Sequence, residues 1–452
     1  MSVARAVAVA IAAVVLVTPA AARPTASWTR LPGTVVNFAE PGLARTSDGV
    51  LHVVYTRKNG TKSELAHAPV SAGGKVGSAS VALGGWASMS HPDLLRMPDG
   101  SLRVFFGGIR STNPGETNNA LNTATAPASG ATWTLQPGKA AQATYAYATT
   151  SAGAGLAKDG TSISSWAGTP GLGYHYGVKP SDPDHTIPQS GCCLYNPDVG
   201  VDAASGQAWI GFASNENATP GMFANAIGPG GPQGGRKLAP GSITGKNFLQ
   251  PLNRTPITGR IGAGGVFLVY GQGYPTSKTI ALWAVDRPRP QLVLKADAAK
   301  HVNVAAAPEG RLWLMWERNG KIYATRTNHA ATKIEPLSTL SEPGSHSVYE
   351  LNGEGSAGPL DLIANDGQGL WHQQVRPRLQ LVATQRKAGA GRVVTFRVLD
   401  AGDPVAGATV KAGAKSLKTN ALGVATLKQA RAKAVKASAS KAGYVSASLR
   451  VR

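Results

Sequence analysis

Seven times along this 452-residue chain a short Gly-containing turn leads into a β-type run, and in six of those runs an aromatic stands four residues after the first. Leu51 leads to Tyr55, Leu102 to Phe106, Ser162 to Trp166, Ala208 to Phe212, Val266 to Tyr270 and Leu312 to Trp316, whereas the run from Leu360 has Ala364. The starts are 51, 60, 46, 58, 46 and 48 residues apart. Strand-type repeats with a period of about 50 imply an all-β chain and a β-propeller, one four-stranded blade per repeat. Seven blades are expected, with six as the alternative.

Each repeat reads as strand A, a tight turn, strand B, a longer loop, strand C and strand D. In the second repeat these are Leu94–Met97, Pro98-Asp99-Gly100, Leu102–Phe106, a stretch near Asn119–Ala126 and another near Trp133–Gln136. Comparable A–B turns occur at Ser47-Asp48-Gly49 and Lys158-Asp159-Gly160. Asp-Gly supplies the positive φ that a two-residue hairpin needs. The B-strand aromatics are expected to pack between blades. The last repeat has A near Ser347–Leu351, B at Leu360–Ile363 and C at Leu370–Val375, but no D strand. The strand-like piece Ser27–Val36 is therefore expected to complete that blade, which removes an exposed edge.

Residues 1–22 read as a secretory leader, with Arg5, an apolar run from Ala6 to Val17 and the small-residue site Ala20-Ala21-Ala22. The mature protein is expected outside the cell, with a propeller at 23–377 and a second domain at 378–452. Charge divides unevenly between them. From Arg376 onward 16 Lys and Arg meet only Asp400 and Asp403, giving +14, while residues 23–375 hold 28 basic and 22 acidic residues, giving +6. A basic segment attracts polyanions. For an exported protein the expected partner is a glycan, an anionic cell-wall polymer or lipid head groups rather than nucleic acid; the alternative is that the basic residues simply solubilise an exposed sandwich. The basic domain would support peripheral association with a surface.

That domain has its own grammar: Val393–Val398 alternates like a half-buried strand, followed by Pro404–Val410, Thr419–Leu427 and Lys441-Ala442-Gly443-Tyr444. These motifs resemble the bacterial immunoglobulin-like and carboxypeptidase-regulatory-like modules. The resemblance implies an Ig-like β-sandwich acting as a spacer or adhesion element.

Candidate functional residues gather where the A strands begin. Glu40, His91 with Asp93, Asn196 with Asp198, His301 with Asn303, and His346 stand there, and His91-Pro92-Asp93 and Asn196-Pro197-Asp198 share a form. The longer connections Gly107–Asn118, Ala167–Gly173, Ser214–Gly221, Gly271–Ser277 and Val178–Tyr195 are assigned to the same rim. A carboxylate ring at a channel mouth can bind sugar hydroxyls or do acid–base chemistry with Asp93, Asp198 or Glu40. Equally, an Asp at a strand start accepts local backbone hydrogen bonds. The ligand set expected from sequence is His91, Asp93, Arg110, Tyr195, Asn196, Asp198 and His301. Neither His91 nor His301 has a second ligand at metal-binding spacing, so no metal and no cofactor are expected.

Cys192 and Cys193 are the chain's two cysteines, and they are adjacent. In an oxidising compartment an even count suggests a disulfide. A bridge between neighbours would form a small strained ring beside Tyr195, at the proposed ligand face. Free or intermolecularly bonded cysteines, and a staple remote from any ligand, are the alternatives.

The repeats resemble the sialidase and BNR-repeat propeller superfamily at the level of fold, across roughly residues 27–375. The chain keeps only fragments of that family's aspartate box, such as Ser47-x-Gly49, and lacks its Arg-Ile-Pro motif. Arg110, Arg254 and Arg260 would have to supply an arginine triad, and no tyrosine–glutamate nucleophile pair is identifiable. The reading is a secreted, monomeric, non-catalytic propeller that binds glycan or wall polymer at its long-loop face. The alternatives are a glycoside hydrolase or lyase, and a structural or protein-interaction platform.

Overall fold

The computed structural model describes residues 27–36, 40–110, 120–136, 152–168, 171–179, 181–189, 193–216, 220–242, 248–249, 254–344, 346–430 and 434–452. The leader read at 1–22 and Cys192 lie outside the described residues. The chain divides into two compact units, one spanning 24–375 and the other containing 376–452.

The fold is all-β, with one 3-10 turn at Pro308–Gly310 among the described residues. In the larger unit the strands form successive antiparallel sheets, six of four strands and one of five, an arrangement consistent with a β-propeller. In sheet 1, strand A is Gly42–Arg45, followed by Leu51–Asn59, Lys62–Val70 and Ser80–Trp86. In sheet 2 the short strand Ser88–Met89 precedes strand A, Asp93–Arg96; sheet 3 begins with Gly153–Leu156 and sheet 4 with Leu194–Val201. Sheet 5 begins with Ile257–Gly259 and sheet 6 with Lys300–Ala306. Sheet 7 holds Glu350–Glu354, Leu360–Asn365 and Leu370–Val375, and its fourth strand is Thr29–Arg30. That N-terminal strand pairs antiparallel, Thr29 opposite His372 and Arg30 opposite Trp371, and the Leu31 N–H bonds Leu370 O at 2.8 Å.

The B strands are buried along nearly their whole length, which is why they read as apolar runs. The repeating aromatics Tyr55, Phe106, Trp166, Phe212, Tyr270 and Trp316 are all at most 5% exposed. Phe106 packs in one cluster with Val54 and Leu65 of the preceding sheet, so the aromatics fill the space between sheets. Burying a side chain of this size contributes about 1.5–3 kcal/mol.

The A–B turns differ in detail from the two-residue expectation. Thr46 N–H bonds Val50 O, Met97 N–H bonds Ser101 O and Ala157 N–H bonds Thr161 O, so each loop holds three residues. Gly49, Gly100 and Gly160 all sit at φ 86°, the left-handed third position of such a loop. The A strand of the last sheet runs Glu350–Glu354 rather than near Ser347–Leu351. The stretch Val178–Tyr195 is not one loop, because Asp184–Thr186 forms the outer strand of sheet 3. Its polar composition hid it; His185 leans on Tyr174 with ring centroids 5.1 Å apart.

In the smaller unit, Gln380–Ala388, Gly391–Asp400, Asp403–Pro404 and Val424–Gln429 form one sheet, and Lys415–Lys418, Thr409–Ala412, Val435–Ser440 and Ala447–Val451 another. Val394, Phe396 and Val398 share a single core with Val410, Ala437 and Ala439.

Candidate functional site

The sheet registers define one position per A strand, the residue opposite the fourth residue of strand B. It is Gly42, Asp93, Gly153, Asp198, Asn303 and Asn352 in sheets 1, 2, 3, 4, 6 and 7. In sheet 5 it is Pro256, whose carbonyl accepts the Val269 N–H. Small or ring-closed residues thus alternate with Asp and Asn around most of the set. The glycines are there for close approach: a Cβ on Gly153 would lie 2.6 Å from the Asp198 Cα, and one on Gly42 2.8 Å from the Leu94 nitrogen.

The four polar members do the same local work. Asp93, Asp198, Asn303 and Asn352 each accept, through Oδ1, the N–H of the next residue at 2.7–2.9 Å. Three also reach a neighbouring sheet. Asp93 Oδ2 accepts the Ala154 N–H at 2.7 Å, Asn303 Nδ2 donates to Leu351 O at 2.7 Å, and Asn352 Nδ2 donates to Pro41 O at 3.3 Å. These contacts satisfy strand ends that would otherwise leave buried backbone groups unpaired.

Arg254, in the connection leading into sheet 5, ties this set together. Its Nη1 lies 2.5 Å from Asp93 Oδ1 and its Nη2 donates to Pro41 O at 2.9 Å. Its Nε is 3.1 Å from Glu40 Oε1, an ion pair without hydrogen-bond alignment. Glu40 Oε2 accepts the Arg254 backbone N–H at 3.0 Å, and Asn352 Nδ2 donates to Glu40 Oε1 at 3.2 Å. Glu40 and Asp93, both named from sequence, therefore pair with one guanidinium, and Asp198 lines the same cavity.

Three carboxyl groups facing one cation cannot all ionise cheaply in a desolvated site. Burial, reinforced by Asp93 and Glu40 and opposed by Arg254, pushes the Asp198 carboxyl well above the usual carboxylate range. Burial also raises Asp93, against the pull of Arg254. Part of each side chain's surface faces a cavity, yet both carboxyl groups lie deep enough for desolvation to dominate. Arg254 stays charged, since attraction to Asp93, Glu40 and Asp198 outweighs the burial that opposes it.

Two cavities meet at Arg254. One, of about 250 Å³, runs along the A strands from Glu40, Asp93, Asp198 and Arg254 toward Ile261 and Ser356, at the A–B turns. The other, of about 230 Å³, lies at the opposite ends of the strands, between Tyr270, Lys300, His301 and Glu350. His301 there is held neutral, its pKa lowered to about 4 by burial and by Lys300.

The other sequence candidates scatter. Asn196 and His301, each two residues before a polar ring member, adopt φ 53° and 50° beside register shifts in their strands. His91, at the same offset from Asp93, is buried and its carbonyl accepts the Ala152 N–H at 3.1 Å. Tyr195 packs on the core shared by sheets 4 and 5. Arg110 stacks over Trp86, 5.1 Å from the ring centroid. Arg260 donates to Gly310 O, Gly264 O and His329 O, so Arg110, Arg254 and Arg260 do not assemble as a triad. Cys193 is disulfide-bonded. Among the described residues no group of three or more His, Cys, Asp or Glu is placed to hold a metal ion.

No family model matches the chain, and no curated protein matches it. Among solved structures it is similar to the polysaccharide lyase Uly1, with a TM-score of 0.43 and 9% identity over 76% of this chain and 91% of that one. It is also similar to prolyl oligopeptidase B from Galerina marginata, with a TM-score of 0.41 and 10% identity over 82% of this chain and 55% of that one.

Proposed function

We propose that this protein is an exported seven-bladed β-propeller that holds a glycan at its channel without cleaving it. The blade count rests on the seven sheets among the described residues of 24–375 and on the pairing of Thr29–Arg30 with Leu370–Val375. Export rests on the leader-like residues 1–22. The observation that carries the binding reading is the use made of the carboxylates. Glu40 and Asp93 are held by Arg254 and by backbone N–H groups, so neither is free to attack a sugar or take its proton. Asp198, Asn303 and Asn352 add amide and carboxyl groups to the cavity wall, a lining suited to hydroxyls. We take Cys192 and Cys193 to be bridged to each other near this channel, since Cys193 is disulfide-bonded and Cys192 is the chain's other cysteine.

A hydrolase reading draws on one observation. A carboxyl held toward its neutral form at Asp198, close to carboxylates paired with Arg254, matches the environment of a general acid. Glycan and wall-polymer arrays, run with a glycosidase and lyase panel on the mature protein, separate the two. Binding without product is expected, and Asp198→Asn, which mimics a neutral carboxyl, retains it. Product formation by the wild type that disappears in Asp198→Asn would establish the hydrolase instead.

A further inference from the structure

The unit containing 376–452 carries a sheet face with an unusual composition. Alternation along its four strands turns Val410, Ala412, Ala437, Ala439 and Val451 into the core. The residues between them face outward. Lys411 stands opposite Ser416 on one side and Ser438 on the other, Thr409 lies between Lys418 and Ser440, and Lys436 stands opposite Arg450. Lys411, Lys436 and Arg450 are exposed. The unit's two acids, Asp400 and Asp403, belong to the other sheet, and Asp400 Oδ2 accepts the Tyr444 hydroxyl.

Lys436 and Arg450 are Cα partners on neighbouring antiparallel strands. Like charges directly opposite one another destabilise a sheet, and no carboxylate of this sheet offsets them. A bound anion would. Strands about 4.8 Å apart set successive cations and hydroxyls in a flat grid. This outward set holds only Lys, Arg, Ser and Thr, with no large apolar side chain to enter a bilayer.

We infer that this face is a docking surface for an anionic polysaccharide, its carboxylate or sulfate groups meeting Lys411, Lys436 and Arg450 and its hydroxyls meeting the intervening Ser and Thr. This partner is independent of the channel glycan, and either reading can fail without the other.

The test uses the full mature chain with Lys411, Lys436 and Arg450 each changed to Ser. The control carries Arg386, Arg397 and Lys428 changed to Ser, exposed positions on the other sheet with the same loss of charge. Affinity for polygalacturonate is measured across a salt series, with neutral dextran and anionic phospholipid vesicles alongside. The first variant is expected to bind polygalacturonate at least 10-fold more weakly with a shallower salt dependence, the control to lose under 3-fold, and both to keep the wild-type melting temperature or exceed it. Equal losses in the two variants would overturn the assignment to this face. Binding to vesicles but not to polygalacturonate would overturn the polysaccharide.

Discussion

Arg254 Nη1 sits 2.5 Å from Asp93 Oδ1, although Asp93 opens a strand of sheet 2 and Arg254 lies in the connection leading into sheet 5. With Glu40 ahead of sheet 1 joining them, the pair links the starts of sheets 1, 2 and 5. Residues that suggest catalysis when read singly act here as a buried latch. Any ligand in the cavity beside them meets groups already fixed by the fold.

Removing the cation is the direct test of the latch. Breaking one partner of a buried ion pair costs about 3–5 kcal/mol, because the opposing charge is left uncompensated. Arg254→Met should therefore lower the urea midpoint strongly, and Arg254→Lys should recover only part, since an ammonium cannot reproduce the planar fork. A midpoint unchanged in Arg254→Met would mean that Glu40 and Asp93 find other partners or are solvated.

The pH dependence follows from Asp198. Its folded pKa lies above the unfolded value of about 3.9, because burial outweighs the attraction of Arg254. Between those two pKa values the folded state binds more protons than the unfolded one, so stability falls as pH rises through that window and levels off above the folded pKa. Asp198→Asn does not titrate there. Wild type should accordingly lose stability relative to Asp198→Asn as pH is raised from 4, measured by paired urea titrations. A wild type that gains on the variant instead would mean that Asp198 is ionised and paired.

The propeller-type repeat was legible because the B strands are buried on both faces and must be apolar, with an aromatic at a fixed place. The ring position was half legible. It falls eight to ten residues before each B strand, so Asp93, Asp198 and Asn303 stood out as strand starts, but Asn352 did not. Asn352 was hidden because Gly353 and Gly355 break the β-type pattern around it. Arg254 carries no local signal at all: its role depends on carboxylates more than 50 residues away in sequence, brought together only by the sheet order. The strand Asp184–Thr186 was missed because an outer strand is half solvated and needs no apolar run.

Mass spectrometry of the protein, kept oxidised, addresses the cysteines. A peptide spanning Cys192 and Cys193 should be two hydrogens lighter than its reduced form and resist alkylation until reduced. Two thiols alkylated without reduction would remove the proposed bridge.

Arg45 of sheet 1 ties the first sheet to the last. Its Nε is 2.6 Å from Glu354 Oε2 of sheet 7, a second guanidinium nitrogen pairs with Asp361, and Nη1 donates to Gly49 O at 2.8 Å. Asp361 also bonds His372 Nε2 at 2.8 Å, on the strand that pairs with Thr29–Arg30. The first and last sheets are thus joined by a buried charge network as well as by the N-terminal strand. Arg45→Met should cost about 3–5 kcal/mol by stranding Glu354 and Asp361. Adding Asp361→Asn should recover part of it, with a coupling of about 0.5–3 kcal/mol between the two sites in a double-mutant cycle. Wild type, Arg45→Met, Asp361→Asn and the double variant are unfolded in urea and followed by tryptophan fluorescence. Additive losses would mean that the two residues do not act as one latch.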